Sequence, residues 1–167
     1  MESRAKVFGH AMHPMLIVFP LGLFSAAVLF DLIRIFHGGT GWGEAAFYDI
    51  AVGVVGGLLA AVFGFLDWLA IPSGTRAKAI GLWHGGGNFV IVVLFIISWL
   101  IRLPNPGSPS VFAFMLALVA VGMALVTGWL GGELVERLRV GVDDDAGLNA
   151  PNSLTGARRA DRRRATE

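Results

Sequence analysis

Apolar residues run through this chain in four long stretches, at about 14–36, 45–71, 80–103 and 111–135, separated by short segments rich in Gly, Pro, Ser and Asn. A helix needs about 20 residues to cross the hydrocarbon core of a bilayer, and each stretch meets or nearly meets that length. Short connectors make successive helices run antiparallel. The pattern predicts an all-α fold, a polytopic membrane protein whose residues 1–142 form a four-transmembrane-helix antiparallel bundle. The first stretch follows Arg4 and Lys6 as a signal peptide would. It also contains Pro20 and Gly22 and reaches Asp31 without a convincing cleavage site, so it is expected to be a retained helix. After Val142 the apolar periodicity stops and Asp, Gly, Asn, Pro, Ser and Arg take over, which predicts a disordered basic tail over 143–167. Its Arg158, Arg159, Arg162, Arg163 and Arg164 suit anionic lipid headgroups or an ordinary basic flank.

Composition narrows the class. The chain is 55% hydrophobic and 15% charged, too apolar for a soluble domain of 167 residues. It has no cysteine, which excludes disulfides, thiolate metal centres, cysteine-ligated iron–sulfur clusters and covalent c-type haem. The net charge of +1 is uninformative, but its distribution is not. Four spans put Arg4, Lys6, Arg76, Lys78, Arg137, Arg139 and the five tail arginines on one side, and only Arg34 and Arg102 at the other. The positive-inside rule then places both termini in the cytoplasm. No phosphate loop, nucleophile–base arrangement or nucleic-acid surface stands out, so no catalytic residue is assigned, no nucleic-acid partner is expected and an enzyme acting alone is not expected.

The ionisable residues inside the stretches fall at a regular interval. Eighteen residues make five helical turns and about 27 Å, so positions that far apart share a face at opposite membrane boundaries. His13 and Asp31, Asp49 and Asp67, and His84 and Arg102 all have this spacing. Antiparallel packing sorts them into an outer layer with Asp31, Asp49 and Arg102, near Arg34, His37 and Tyr48, and a cytoplasmic layer with His13, Asp67, His84 and Glu133, near His10 and Asn88. Charges in lipid are costly, so these faces should turn inward. Arg102 is a partner for Asp31 or Asp49, a structural ion pair that fixes helix register. In the cytoplasmic layer three readings stay open. The two histidines begin parallel helices and could be axial ligands of haem b, with Gly85 and Asn88 lining the space beside His84. His13, His84, Asp67 and Glu133 could instead hold a divalent transition metal. Or the residues only mark helix boundaries, since His13 precedes Pro14 and His84 follows the interfacial anchor Trp83. Pro20 is read as a kink that frees a carbonyl one turn earlier. Gly53, Gly57, Ala60 and Gly64, and likewise Ala120, Ala124, Gly128 and Gly132, form small-residue ridges for close helix approach.

Several motifs carry a family resemblance: Gly9-His10-Ala11-Met12-His13-Pro14 with Phe19-Pro20-Leu21-Gly22, Ala70-Ile71-Pro72-Ser73-Gly74-Thr75-Arg76, His84 through Asn88, and Gly131-Gly132-Glu133-Leu134-Val135. In this order they resemble the bacterial membrane-protein family called domain of unknown function 2231, over roughly residues 9–153. The resemblance implies a four-helix inner-membrane module without an established activity, in a redox setting because relatives are fused to Rieske or cytochrome domains. Where similar proteins often continue with a Tyr and a His-Gly pair, this chain has Glu136, Leu138 and Arg139. That departure puts a ligand set drawn from all four helices in doubt and leaves His13 with His84 as the main candidate pair. The leading expectation is a redox-associated membrane module that binds haem b between His13 and His84. The alternatives are a small proton or metal-ion transporter or channel, and a non-catalytic assembly subunit. Expected partners are the lipid bilayer and redox or other membrane proteins, with a homo-oligomer left open.

Overall fold

The computed structural model describes residues 1–155. The bundle is built from α1 (Met12–Leu16) and α2 (Val18–His37), which together form the first span, then α3 (Thr40–Ala70), α4 (Arg76–Arg102) and α5 (Val111–Gly132). All four spans are long and apolar enough to cross a membrane. The only strands among the described residues are β1 (Lys6–Val7) and β2 (His10–Ala11), a small antiparallel hairpin ahead of α1. Its turn residues Phe8 and Gly9 both have positive φ, 49° and 83°, as a tight two-residue hairpin requires.

Local chemistry sets the helix ends. Pro20 has no N–H for the carbonyl of Leu16, and the first span breaks there, α1 ending at Leu16 and α2 starting at Val18. Gly38 and Gly39, with φ of 75° and 90°, make the turn into α3, which begins five residues before the sequence-predicted start. Thr75 Oγ1 caps α4 by accepting from Lys78 N at 3.2 Å, so that helix begins at Arg76 rather than near residue 80. Ser110 Oγ does the same for Ala113 N at the start of α5. A clasp joins α3 to α4: Trp68 Nε1 donates to Lys78 O at 3.1 Å, Lys78 Nζ donates to Trp68 O at 2.7 Å, and the ammonium sits over the indole ring. The last span closes in a π-turn over Glu133–Arg137, where Leu138 N reaches Glu133 O. Beyond it the chain runs in turns to a short 3-10 turn at Ser153–Thr155. The tail arginines from Arg158 onward, and the disorder expected of that part of the tail, lie outside the described residues.

The core lies along the bundle axis: Phe24, Ala27, Val28, Ala46, Ile50, Ile91, Phe95, Phe114, Ala117 and Ala120. Around it Leu, Val, Phe and Trp side chains point outward, the surface that meets lipid. Lipid tails are as apolar as these side chains, so close packing rather than escape from water holds the helices together. The α3 ridge supplies that packing. A Cβ on Gly53 would lie 2.6 Å from the Phe24 ring, and one on Gly56 would lie 2.7 Å from Phe19 Cβ. Gly57 meets Val92 of α4 and Gly64 meets the His13 ring of α1, so the ridge is filled by the chain's own helices.

Candidate cofactor site between two histidines

His13 and His84 come from helices that run in the same direction, and the fold brings their rings face to edge, centroids 6.3 Å apart and planes 84° apart. Each imidazole is anchored from behind in the same way. His13 Nδ1 bonds to Ala60 O at 2.8 Å, and His84 Nδ1 bonds to Thr127 O at 2.8 Å. A carbonyl oxygen only accepts, so both Nδ1 atoms carry the proton and both Nε2 atoms are left as lone-pair donors. Helical carbonyls are normally screened by the side chain one turn on. Here Gly64 follows Ala60 and Gly131 follows Thr127 by four residues, and the imidazoles use the space. A Cβ would come within 2.8 Å of the His13 ring at Gly64 and within 3.0 Å of the His84 ring at Gly131.

This duplication runs through the bundle. His13 faces His84, Phe24 stacks on Phe95 with centroids 3.8 Å apart, and Asp31 pairs with Arg102; all three pairs share a separation of 71 positions. The first two spans and the last two are therefore counterpart hairpins, and residues that meet their own counterpart mark an approximate twofold axis along the bundle. Hydropathy had not suggested this repeat. The signal was in the equal spacing of His, Phe and charge in the first and third spans, and in Ala60 with Gly64 matched by Thr127 with Gly131.

The other sequence-derived candidates are dispersed. Asp67 accepts from Ser3 Oγ at 2.8 Å on both oxygens and from Arg4 N at 2.8 Å, tying the N-terminal segment to the end of α3. Glu133 takes Arg76 Nη2 at 2.6 Å. The expected four-residue metal set of His13, His84, Asp67 and Glu133 is therefore not assembled, and no group of three or more His, Asp or Glu suited to a metal occurs among the described residues. The competing backbone and arginine donors had claimed both carboxylates. Gly85 also differs from expectation: it and Gly86 face outward with open space beside them, whereas Gly87 packs on Thr127. The glycines that make room for the imidazoles are Gly64 and Gly131. Asn88 does stand beside His84, donating through Nδ2 to its Nε2 at 3.2 Å and to its backbone O at 2.9 Å, while accepting from Thr127 Oγ1 at 3.0 Å. Thr127, buried, was not anticipated. His10 lies on the hairpin 3.2 Å from Ser153 Oγ.

At the opposite end Arg102 and Asp31 form a two-pronged ion pair, Nη1 to Oδ1 at 2.9 Å and Nη2 to Oδ2 at 2.6 Å, both side chains without solvent exposure. Arg102 Nε donates to Ser98 Oγ at 3.2 Å, and Ser98 Oγ donates to Ala113 O at 2.7 Å. Asp49 is half-buried on α3 and takes no part in this pair. Among the described residues Arg34 reaches only Pro109 O, at 3.5 Å, and neither its buried Nε nor Trp99 Nε1 has a partner.

The model of a predicted membrane protein family, DUF2231, matches residues 9–144. The chain belongs to that family. The match covers all four spans, both histidines, the ion pair and Glu133, so the motifs read from the sequence sit in the family's own segment. No curated protein and no solved structure matches the chain. The DUF2231 assignment brings a membrane setting and no activity.

Proposed function

We propose that this DUF2231 protein is a redox-associated module of a bacterial inner membrane that holds haem b between His13 and His84, with the histidine end toward the cytoplasm. The observation that carries the reading is the pair of facing imidazoles, each fixed through Nδ1 to a helix carbonyl. Metal-ligating histidines typically have that second bond, because it sets the tautomer and the ring direction. The two ring centroids lie 6.3 Å apart, so His13 and His84 would together hold one haem iron. His13 and His84 would hold the iron, and Asp67 and Glu133 bond to Ser3, Arg4 and Arg76 and not to either imidazole among the described residues, which favours haem over a bare divalent ion. Bound there, the group would supply one-electron transfer. The chain's own part is to orient the two nitrogens and to keep the site inside an apolar bundle, both of which tune a potential. The cytoplasmic orientation rests on Arg4, Lys6, Arg76, Lys78, Arg137 and Arg139 at that end.

The test is the oxidised-minus-dithionite-reduced spectrum of detergent-purified protein expressed with adequate haem supply. Bands of low-spin haem b are expected, lost in His84→Ala and in His13→Ala. Wild-type protein without such bands refutes the reading.

The transport alternative has less support, because Phe24 stacked on Phe95, with Ile50 and Ile91, fills the axis between the two polar ends. The assembly alternative draws on Gly85, Gly86, Gly128 and Gly132, where an added Cβ would meet open space. Copurification of a partner with wild-type protein but not with Gly128→Leu would favour it.

A further inference from the structure

The two histidines are counterparts in the repeat, yet their surroundings differ at one place. Behind each ring is the same carbonyl and glycine. In front of His84 there is also Asn88, and Thr127 holds Asn88; at the counterpart positions in the first hairpin stand Ile17 and Ala60, which have no side-chain polar group. His13 Nε2 accordingly has no hydrogen-bond partner among the described residues, whereas His84 Nε2 has one.

The orientation of the Asn88 amide follows from its three partners. The backbone carbonyl of His84, 2.9 Å away, accepts only, so the amide atom beside it must be Nδ2. That same NH2 group faces His84 Nε2 and turns Oδ1 toward Thr127 Oγ1, which donates to it at 3.0 Å. His84 Nδ1–H to Thr127 O closes a ring of hydrogen bonds between α4 and α5. Every donor in the ring has an acceptor, and the one lone pair that could coordinate a metal is the one that Asn88 covers.

We propose that Asn88, held by Thr127, is a positioning residue that latches the coordinating nitrogen of His84: it occupies Nε2 in the unliganded protein and yields it when iron binds. The idea rests on the haem reading for its ligand, and the occupancy of Nε2 by Asn88 rests on the hydrogen-bond ring. Ligation is then unequal by construction. His13 offers an open nitrogen, and His84 completes the site only by breaking one bond. The side chain of Asn88 keeps its bond to the His84 carbonyl in either state, so release needs only a small swing of the amide or the ring. Covering Nε2 also keeps a reactive lone pair satisfied inside the membrane while no cofactor is present, where an unmet polar atom is costly.

Two measurements on the full chain test this. In the first, ferric haem (hemin) is titrated into detergent-solubilised wild type, Asn88→Leu, Thr127→Val and Thr127→Ser, and dissociation is followed by transfer to an excess of apomyoglobin. Releasing one neutral hydrogen bond should tighten retention by about two- to tenfold in Asn88→Leu, by less in Thr127→Val, and leave Thr127→Ser at the wild-type value. In the second, 15N-histidine-labelled protein without haem is compared by solid-state NMR. The His84 Nε2 resonance should move to higher frequency in Asn88→Leu, as a nitrogen that has lost a hydrogen bond does, with Nδ1 and His13 unmoved. A folded Asn88→Leu protein that retains haem no better than wild type overturns the latch, as does an unmoved Nε2 resonance. Should wild type take up no haem, the haem reading falls and the latch falls with it, whereas haem uptake with an unmoved Nε2 resonance or with no tighter retention in Asn88→Leu overturns the latch alone.

Discussion

Asp31 and Arg102 offer a test of the duplicated architecture as well as of the ion pair. Both side chains have no solvent exposure and share two hydrogen bonds of 2.9 and 2.6 Å. Removing one charge with Asp31→Asn leaves a guanidinium buried without a counter-ion, a defect that costs about 3–5 kcal/mol where it has been measured. Because the two residues are counterparts in the repeat, exchanging them should restore most of that loss: Asp31→Arg with Arg102→Asp rebuilds the pair across the same axis. It should not restore all of it. Arg102 Nε is bonded to Ser98 Oγ, and the counterpart of Ser98 in the first hairpin is Ala27, fully buried and without a hydroxyl. The exchanged protein therefore lacks one hydrogen bond, roughly 1 kcal/mol. Adding Ala27→Ser should recover it, because Ala46 O is the counterpart of the Ala113 carbonyl that Ser98 uses. The assay is reversible unfolding in mixed micelles. The expected order of stability is wild type, triple variant, exchange, then Asp31→Asn, with Asp49→Asn close to wild type because Asp49 makes no hydrogen bond or ion pair among the described residues. An exchange variant as unstable as Asp31→Asn would refute the twofold relation. A loss below about 1 kcal/mol in Asp31→Asn would refute the assigned role of the pair.

The anchoring of the histidines predicts that Gly64→Ala displaces the His13 ring, since the new Cβ would lie 2.8 Å from Nδ1, and that Gly131→Ala does the same more mildly to His84; overpacking of this kind costs about 1–3 kcal/mol, and histidine NMR together with haem retention would register it. Phe24→Ala should cost about 3–5 kcal/mol in the same unfolding assay, because its ring fills the space beside Gly53 and stacks on Phe95. A smaller loss would mean that the core collapses into the gap. Lys6, outside the spans, has its pKa raised: burial pulls it down, but hydrogen bonds and charge from Asp143 and Glu2 outweigh that. The folded-state pKa thus lies above the unfolded value, so the contact to Asp143 contributes fully below about pH 10 and is lost as pH rises through the folded pKa. Hydrogen exchange of the β1–β2 hairpin should accelerate in that window beyond the intrinsic base-catalysed rate in wild type, with no such step in Lys6→Met. The absence of native cysteine allows orientation to be read with single cysteines. Ser73→Cys should be shielded from an impermeant maleimide in whole cells and Ser108→Cys labelled; the reverse pattern would invert the proposed topology.

Much of the fold was written in local pattern. Four apolar stretches of membrane length and their short polar connectors specify four antiparallel helices, because a spanning segment must satisfy its own backbone hydrogen bonds and has few other ways to do so. Pro20, Gly38, Thr75 and Ser110 specify most of the breaks and starts by chemistry that acts within a turn. The eighteen-residue spacing placed His13 and His84 at one end and Asp31, Asp49 and Arg102 at the other, since helical rise and periodicity translate spacing directly into depth and face. Which of these groups meet was a matter of tertiary structure. Arg102 pairs with Asp31 and not Asp49, Asp67 turns to the N-terminal segment, and Glu133 turns to Arg76, because each choice depends on what another helix or loop presents at that depth. The same holds for the small residues: Gly85 and Gly131 read alike in a hydropathy plot, but only the packing of α4 on α5 puts one toward open space and the other against an imidazole. The counterpart relation between the two hairpins was present in the sequence as a spacing of His, Phe and charge. It became legible only when the structure set each residue opposite its partner, because sequence periodicity records faces and depths and carries no record of which faces touch.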